Sequence, residues 1–266
     1  LAIMQGRLTK PIHRPIQEFP MENWENELED LKSLGLNNIE WVLDKKTKNG
    51  NPILINNSYV KKALDRNNIQ CTVLTNDYYL DLVNEKLNYS YKNIIGALNL
   101  QDEIFDNLRN SNINLIVIPL LENSSLKELN NSEINNVLKK LSDLTELSKI
   151  NIALELDLEP KKISDILNDS HKNLSINYDM GNSTFFNYEY NFEFENYFEH
   201  ITNVHIKDGK IGGGTVPLGE GDTNFNEIIN TLIDLGYKSN FTMQIARNGN
   251  DEIATIKQYI EKLINE

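Results

Sequence analysis

Short apolar runs alternate with longer amphipathic stretches along the whole chain. Several of the runs are apolar at nearly every position, as in "INLIVIPLL" and "INIALELDL". Continuous runs of this kind are typical of strands in a parallel sheet, because both faces of such a sheet are buried. The pattern predicts eight strands, at residues 2–6, 38–43, 70–74, 115–120, 151–156, 175–178, 203–206 and 240–245.

The amphipathic stretches between the strands repeat their apolar residues at i, i+3, i+4 and i+7. This spacing predicts helices that cover a sheet with one face. In "NWENELEDLKSLG" the apolar stripe stops at Gly35, which predicts the C-terminal end of a helix. Ser132 is the predicted N-cap of a second helix, and a third helix is predicted between an Asn224 N-cap and Gly236.

Eight strands that alternate with helices predict a parallel α/β architecture. The chain has 266 residues, and a (β/α)8 TIM barrel takes about 250. We therefore predict a single TIM barrel domain over residues 1–266. A doubly wound open sheet is the alternative, but it would need a glycine-rich first turn, which this sequence does not contain.

Charge and composition narrow the class of partner. The formal net charge of −13 repels phosphate backbones and disfavours binding to nucleic acid. The only cysteine, Cys71, excludes an intramolecular disulfide and a zinc site of the Cys-x-x-Cys type, and we expect it to be buried. The apolar run at residues 115–121 is too short to span a bilayer, and the N-terminus lacks the pattern of a signal peptide. We expect a cytoplasmic protein that binds no membrane.

The glycine-rich segment "NVHIKDGKIGGGTVPLGEGDTNF", residues 203–225, is the densest cluster of polar and flexible residues. No lysine follows its glycines at the Walker spacing, and Pro217 replaces the third glycine of the dinucleotide fingerprint. These departures exclude a phosphate-binding loop. We expect the glycines at 212–214 to let a mobile loop turn tightly above the carboxyl ends of the strands.

In a TIM barrel the chemistry lies at the carboxyl ends of the strands, where the following loops converge. The fifth to eighth predicted strands end in four possible ligands for one cation: Glu155, Asp179, His205 and Gln244. Hard oxygen donors with one imidazole favour Mg²⁺, Mn²⁺ or Co²⁺, and Zn²⁺ is not excluded.

Each of these residues also has a purely structural interpretation. Asp179 could begin a turn before Gly181, and His205 could be a core histidine with satisfied hydrogen bonds. Glu155 is harder to explain in this way, since a carboxylate within the apolar "IALEL" needs a cation or hydrogen-bond donors. The other strand ends supply further polar residues at the same rim: Gln5, Arg7, Glu40, Trp41, Asp44, Glu122, Asn123 and Arg247.

Several segments resemble those of the xylose isomerase-like TIM barrels, also called the sugar phosphate isomerase/epimerase or endonuclease IV-like superfamily. They are "LEL" with Glu155, "YDMGN", "VHIKD" and "VPLGEGDTNFNEIINTLIDLGYKSNFTMQIAR". The N-terminal "IMQGRLT" and "IEWVLD" resemble the first two strands of the same group. The resemblance covers essentially the whole chain, and residues 205–244 are its most specific part.

The resemblance implies one divalent metal ion, Mn²⁺ or Mg²⁺ first, with Co²⁺ or Zn²⁺ as alternatives. Glu155, Asp179 and His205 match the first three metal ligands of the family, and Gln244 stands where the family has a glutamate. In the epimerases of the family a carboxylate, here Glu155, removes the proton next to a ketose carbonyl and an enediolate forms. An amide oxygen at position 244 can coordinate a metal but cannot accept that proton.

Either another residue is the second proton-transfer group, with Lys207 and Glu122 as the candidates, or the reaction needs only one carboxylate, or the protein is not a typical epimerase. Lys207 stands two residues after His205, so both side chains lie on the same side of the strand. The resemblance also implies that "HIKD" and "DMGN" touch substrate. The predicted substrate contacts are Gln5, Arg7, Glu40, Trp41, Glu122, Asn182, Asp208 and Arg247.

The leading hypothesis is a metal-dependent isomerase or epimerase of a small sugar, sugar phosphate or sugar acid, whose anionic group Arg7, Arg247 or Lys207 could bind. The alternatives are a lyase that dehydrates a keto-polyol of the inosose type, and a sugar-binding protein in which Gln244 has impaired catalysis. A phosphodiesterase of the endonuclease IV kind would need more than the four histidines present. The family's members are often dimers or tetramers, so a homo-oligomer is a further expectation.

Overall fold

Eight parallel strands close into a barrel in the computed structural model, which describes residues 1–10, 17–86, 88–168, 173–247 and 251–265. The barrel strands are β1 (Ala2–Met4), β2 (Asn38–Leu43), β3 (Gln70–Asn76), β4 (Leu115–Leu120), β5 (Asn151–Leu156), β6 (Leu174–Asp179), β7 (Ile201–Ile206) and β10 (Phe241–Met243). Their order around the barrel is β1-β10-β7-β6-β5-β4-β3-β2. Two short strands, β8 (Asp208–Gly209) and β9 (Thr215–Val216), form an antiparallel ribbon outside it.

Helices lie between the strands, which confirms the predicted (β/α)8 architecture. Those in the described residues are α1 (Trp24–Ser33), α2 (Pro52–Ile55), α3 (Asn57–Asn67), α4 (Asp77–Asn84), α5 (Tyr91–Leu98), α6 (Asp102–Leu108), α7 (Asn131–Ser148), α8 (Pro160–Asn168), α9 (Met180–Phe185), α10 (Tyr190–Tyr197), α11 (Phe225–Asp234) and α12 (Glu252–Asn265). None of them has the length and apolar character needed to span a bilayer.

The bounds of the predicted strands hold best in the middle of the chain. The strands predicted at 38–43, 115–120 and 151–156 have the same bounds in the structure. The first predicted strand is shorter, because Gly6 has a φ of +86° and turns the chain out of the extended conformation. The third continues to Asn76, which then caps α4 by accepting a hydrogen bond from the backbone of Tyr79.

The predicted helix ends are partly confirmed. Gly35 and Gly236 follow the last turns of α1 and α11 with φ of +76° and +97°, which glycine adopts without steric cost. The prediction that Ser132 caps α7 is wrong. Asn130 occupies that position, because its side chain accepts from the backbone N–H of Glu133 while the Glu133 carboxylate accepts from the Asn130 N–H.

The inside of the barrel has an apolar layer and a polar layer. Val73, Leu115, Val117 and Ala153 form a small buried cluster of their own, and Cys71 is buried in the large core outside it, as expected. Since side chains alternate along a strand, Glu155 points to the same side of β5 as Ala153, two residues earlier. The polar side chains described below therefore lie above an apolar base, toward the carboxyl ends of the strands.

Candidate metal centre

Three of the four predicted metal ligands meet inside the barrel. His205 Nδ1 lies 3.8 Å from Glu155 Oε2 and 3.9 Å from Asp179 Oδ2. The three residues are buried, and each offers a ligand atom within 4.8 Å of the other two. They converge because β5, β6 and β7 are neighbours, with Asp179 directly beside His205 in the register of β6 and β7.

Glu40 holds the other nitrogen of His205. The imidazole Nε2 lies 2.8 Å from Glu40 Oε1, and Glu40 also accepts hydrogen bonds from Thr75 and Asn203. Burial alone would raise the pKa of Glu40, but the charge and hydrogen bond of His205 lower it below its ordinary value. Burial alone would lower the pKa of His205, but Glu40 raises it above its ordinary value. Glu40 thus supports His205 from within the barrel. It was predicted to contact substrate, but both of its oxygens accept hydrogen bonds from protein side chains.

Asn177 fixes which His205 nitrogen is free to bind a cation. Its Oδ1 accepts from Asn203 Nδ2 at 2.8 Å, so its own Nδ2 must face His205 Nδ1 at 3.1 Å as a donor. The same Nδ2 lies 3.0 Å from Glu155 Oε2. In this arrangement Nδ1 is the nitrogen without a proton and accepts from Asn177, and the proton of the ring lies on Nε2 beside Glu40. A cation would bind Nδ1 in place of this hydrogen bond, since Nδ1 is the ring nitrogen on the side of the two carboxylates.

The carboxylates of the cluster are enclosed by polar neighbours. Asn182 donates to Glu155 Oε1, and burial followed by the charge of Asp179 raises the pKa of Glu155 above its ordinary value. Lys207 Nζ lies 2.6 Å from Asp179 Oδ2 and donates to Asn182 Oδ1 at 2.8 Å. Gly181 makes room for this lysine, since a Cβ there would lie 2.9 Å from its Cγ and Cε.

Gln244 follows β10 directly and is nearly buried. Its Nε2 donates to Gln17 Oε1 at 3.0 Å. Its Oε1 is a buried oxygen that accepts no hydrogen bond from the described residues. A buried oxygen without a donor is rare in folded proteins, and a carbonyl oxygen of this kind suits a hard divalent cation. The residues present therefore fit the predicted metal.

Trp41 and Asp208, both predicted to contact substrate, serve the scaffold instead. The Trp41 ring lies 5.4 Å from the ring of Phe19, and its Nε1 donates to Asn51 Oδ1 at 2.9 Å in the buried layer between strands and helices. Asp208 Oδ2 accepts the backbone N–H groups of Gly219 and Gly221 at 2.7 and 3.0 Å. Both side chains point away from the cluster, because each follows an inward-facing residue on an extended segment.

The remaining predicted residues lie around the cluster without joining it. Glu122 is exposed and accepts from Asn84 at 2.6 Å. Gln5 is fully buried, and its Oε1 accepts from the backbone of Val42 at 3.3 Å. Arg247 is half-buried and donates to the carbonyl of Gly6 at 2.8 Å.

Arg7 is fully buried and donates to Gln17 Oε1 at 3.0 Å. Burial, followed by the charge of Arg247, lowers the pKa of Arg7 to about 9. Arg7 and Gln244 therefore share one acceptor, the side-chain carbonyl of Gln17.

Sequence reasoning missed four polar residues that support the site: Thr75, Asn177, Asn203 and Gln17. Asn177 and Asn203 stand two residues before Asp179 and His205, so the alternation along β6 and β7 could have found them. Gln17 lies in a loop, and no pattern in the sequence marks it.

The comparisons with known proteins agree with this geometry. The family model described as "Xylose isomerase-like TIM barrel" matches residues 28–264. A xylose isomerase domain protein from Planctomyces limnophilus is 15% identical, with a TM-score of 0.75 over 100% of this chain and 96% of that one. The apo form of 3-keto-D-glucoside 4-epimerase from E. coli is 14% identical, with a TM-score of 0.73 over 100% and 99%.

A third solved structure is that of a xylose isomerase-like TIM barrel protein from Mycobacterium smegmatis in complex with magnesium. It is 13% identical, with a TM-score of 0.65 over 99% of this chain and 95% of that one. No curated protein sequence matches the chain significantly. At these identities the three solved structures establish the fold alone, whereas the family model matches most of the sequence. The chain therefore belongs to the xylose isomerase-like TIM barrel family.

Proposed function

We propose that this protein is a metal-dependent isomerase or epimerase that acts on a small ketose, polyol or sugar acid by removing the proton next to a carbonyl. One observation carries the proposal: Glu155, Asp179 and His205 offer ligand atoms within 4.8 Å of one another inside a barrel of this family. The structural relatives include a 3-keto-D-glucoside 4-epimerase.

We assign Glu155, Asp179, His205 and Gln244 to hold one divalent cation. A cation bound there would supply the charge that stabilises an oxyanion and makes the neighbouring C–H group acidic. The donor set of three oxygens and one imidazole suits Mg²⁺ or Mn²⁺, and the relative from Mycobacterium smegmatis was crystallised with magnesium.

Two side chains would move the proton. Glu155 would accept it from the α-carbon, because its Oε1 faces Asn182 while its Oε2 lies toward His205. For isomerisation Glu155 would return the proton to the neighbouring carbon. For epimerisation the proton must reach the opposite face, and Lys207 would deliver it, since the Gln244 amide cannot carry a proton.

The amide at position 244 favours a second candidate, a lyase that dehydrates a keto-polyol. Glu155 would again remove the α-proton, and the β-hydroxyl would leave as water with a proton from Lys207. This reaction needs only one carboxylate base. With an amide at position 244, Glu155 can be that base. Lys207 and Arg247 would bind the charged end of a sugar acid in either reaction, whereas Arg7 is fully buried against Gln17.

The test is proton exchange. The protein is incubated with Mn²⁺ in D₂O and a panel of ketoses, sugar acids and keto-polyols, and the products are followed by NMR. Deuterium at the α-carbon is expected with the native chain, and Glu155→Gln should abolish it. Loss of water would assign the lyase. Sugar binding without deuterium exchange across the panel would overturn the proposal of an enzyme and favour a sugar-binding protein.

A further inference from the structure

Gln244 is one end of a chain of side-chain amides and acids that crosses the barrel mouth. Asp77 Oδ2 accepts from Gln17 Nε2 at 2.6 Å. Gln17 Oε1 accepts from Arg7 Nη2 and from Gln244 Nε2, both at 3.0 Å. The chain therefore runs from Asp77, through Gln17, to Gln244, and Arg7 joins it at Gln17.

The polarity of this chain is determined by its charged members. An ionised carboxylate can only accept hydrogen bonds, and a guanidinium can only donate them. Asp77 is the first residue of α4, where the helix N-terminus favours a negative charge. Gln17 must therefore turn its NH₂ group toward Asp77 and its carbonyl toward Arg7. The opposite orientation would place two acceptors against each other at Asp77 and two donors at Arg7.

The orientation of Gln17 in turn determines that of Gln244. The group that faces the Gln17 carbonyl must be a donor, so Gln244 presents its NH₂ group there. The Gln244 carbonyl oxygen is then left on the other side of the amide, buried and without a hydrogen-bond donor among the described residues. A carboxylate at position 244 would instead bring an acceptor against the Gln17 carbonyl, which is unfavourable in a buried site.

We propose that Asp77 and Gln17 are positioning residues that turn the Gln244 oxygen toward the cation, and that this chain requires an amide at position 244 in place of the glutamate of the family. The proposal rests on the metal site of the proposed function. On this proposal the amide at position 244 is an adaptation to its neighbours. The proposal also predicts that substitutions at positions 77 and 244 are energetically coupled although the two side chains do not touch.

The coupling is tested by combining Gln244→Glu with Asp77→Asn. With Asp77 present, Gln244→Glu should lower the Tm of the metal-free protein by roughly 2–4 °C, because two acceptors then face each other. In the Asp77→Asn background, the amide at position 77 can donate and Gln17 can turn over, so that its NH₂ group meets the carboxylate. Arg7 then loses the Gln17 carbonyl as its acceptor, and the new carboxylate can accept from Arg7 instead. The same Gln244→Glu change should then lower the Tm by less than half as much.

Metal affinity gives a second measurement. Mn²⁺ binding is measured by the EPR signal of the free ion, which does not depend on activity. The dissociation constant of the double variant should be about tenfold lower than that of Gln244→Glu alone, since changes to the residues behind a metal ligand alter affinity by this order. Equal effects of Gln244→Glu in both backgrounds would overturn the proposal.

Two controls separate orientation from net charge. Asp81 lies one turn after Asp77 on α4 and accepts from the backbone of Lys45 instead of Gln17. Asp81→Asn removes the same charge and should not rescue Gln244→Glu, so an equal rescue would contradict the chain. Gln17→Met removes the amide between the two ends, and in that background the coupling between positions 77 and 244 should disappear.

The outcomes also distinguish this proposal from the proposed function. If the native chain binds no Mn²⁺, the metal site fails, and with it the role assigned to the Gln244 oxygen. If Mn²⁺ binds but the effects of the substitutions at positions 77 and 244 are additive, the metal site stands and the proposed positioning chain is wrong.

Discussion

At the scale of single residues, Glu40 and Asn177 together determine which nitrogen of His205 can bind a cation. The pair is completely buried, with Nε2 facing Glu40 and Nδ1 facing Glu155 and Asp179. A carboxylate behind a ligand histidine orients the ring and increases its basicity. Glu40 was predicted to touch substrate, and its contacts give it this supporting position instead.

Glu40→Gln should weaken the metal site and the fold together. The glutamine keeps one acceptor oxygen for two N–H donors, His205 and Asn203, so one buried donor loses its partner. We expect a loss of about 1–3 kcal/mol in the free energy of unfolding and a Mn²⁺ dissociation constant about tenfold higher. Urea denaturation and EPR titration measure the two effects.

Glu27→Gln is the matched control. Glu27 is also completely buried, but it accepts the backbone N–H groups of Gly6 and Leu8, at 2.7 and 3.1 Å, outside the cluster. We expect this variant to lose stability and to keep a Mn²⁺ affinity within about twofold of the native value. An equal loss of metal affinity in both variants would show that Glu40 acts only through general stability.

At the scale of elements, the alternation of side chains along a strand explains which predicted site residues lie in the cluster and which lie outside it. Glu155, Asp179 and His205 could be predicted because they end neighbouring parallel strands on the inner face. Trp41 was predicted to contact substrate, but it follows the inward-facing Glu40 on β2 and packs against Phe19 outside the cluster. A strict application of the two-residue period would have excluded it.

Loop residues could not be predicted in this way. Gln17 lies 60 residues from Asp77 and 227 residues from Gln244 along the chain, and nothing periodic relates the three. Their contact depends on the closure of the barrel, which brings the loops after β1, β3 and β10 to the same end. The family resemblance does not indicate it either, since the resemblance implies a glutamate at position 244.

The segment between β8 and α11 is held by Asp208, and this gives a prediction for the element. A Cβ at Gly221 would lie 2.1 Å from Asp208 Oδ1 and 2.6 Å from the carbonyl oxygen of Gly209. Gly221→Ala must therefore displace the backbone or break the contact with Asp208, and we expect it to cost about 2 kcal/mol or more of stability.

Gly214→Ala provides the comparison within the same segment. A Cβ at Gly214 would meet no atom within 4 Å. Its effect on the free energy of unfolding should stay within about 0.5 kcal/mol. Chemical denaturation of the two variants measures the difference, and equal stabilities would contradict the holding role of Asp208.

At the scale of the whole molecule, the barrel concentrates negative charge at its centre. Glu40, Glu155 and Asp179 lie within a few residues of the carboxyl ends of their strands, buried above an apolar base. The cationic Lys207 lies against Asp179, and the His205 ring lies between Glu40 and the other two carboxylates. The surface adds to this field, since the chain as a whole carries a net charge of −13. A divalent cation should therefore stabilise the folded protein from within.

Thermal stabilisation by the metal can show whether the cation binds inside the barrel or on the acidic surface. A ligand at 100 times its dissociation constant stabilises the native state by about 2.7 kcal/mol, which for a chain of this size raises the Tm by roughly 5–10 °C. We expect Mn²⁺ to do so for the EDTA-treated native protein, and His205→Ala to remove most of the shift. Cations condensed on the surface would stabilise both proteins equally, and 0.5 M NaCl would screen that contribution. A shift that survives His205→Ala and disappears in NaCl would place the cation on the surface and exclude the barrel as its site.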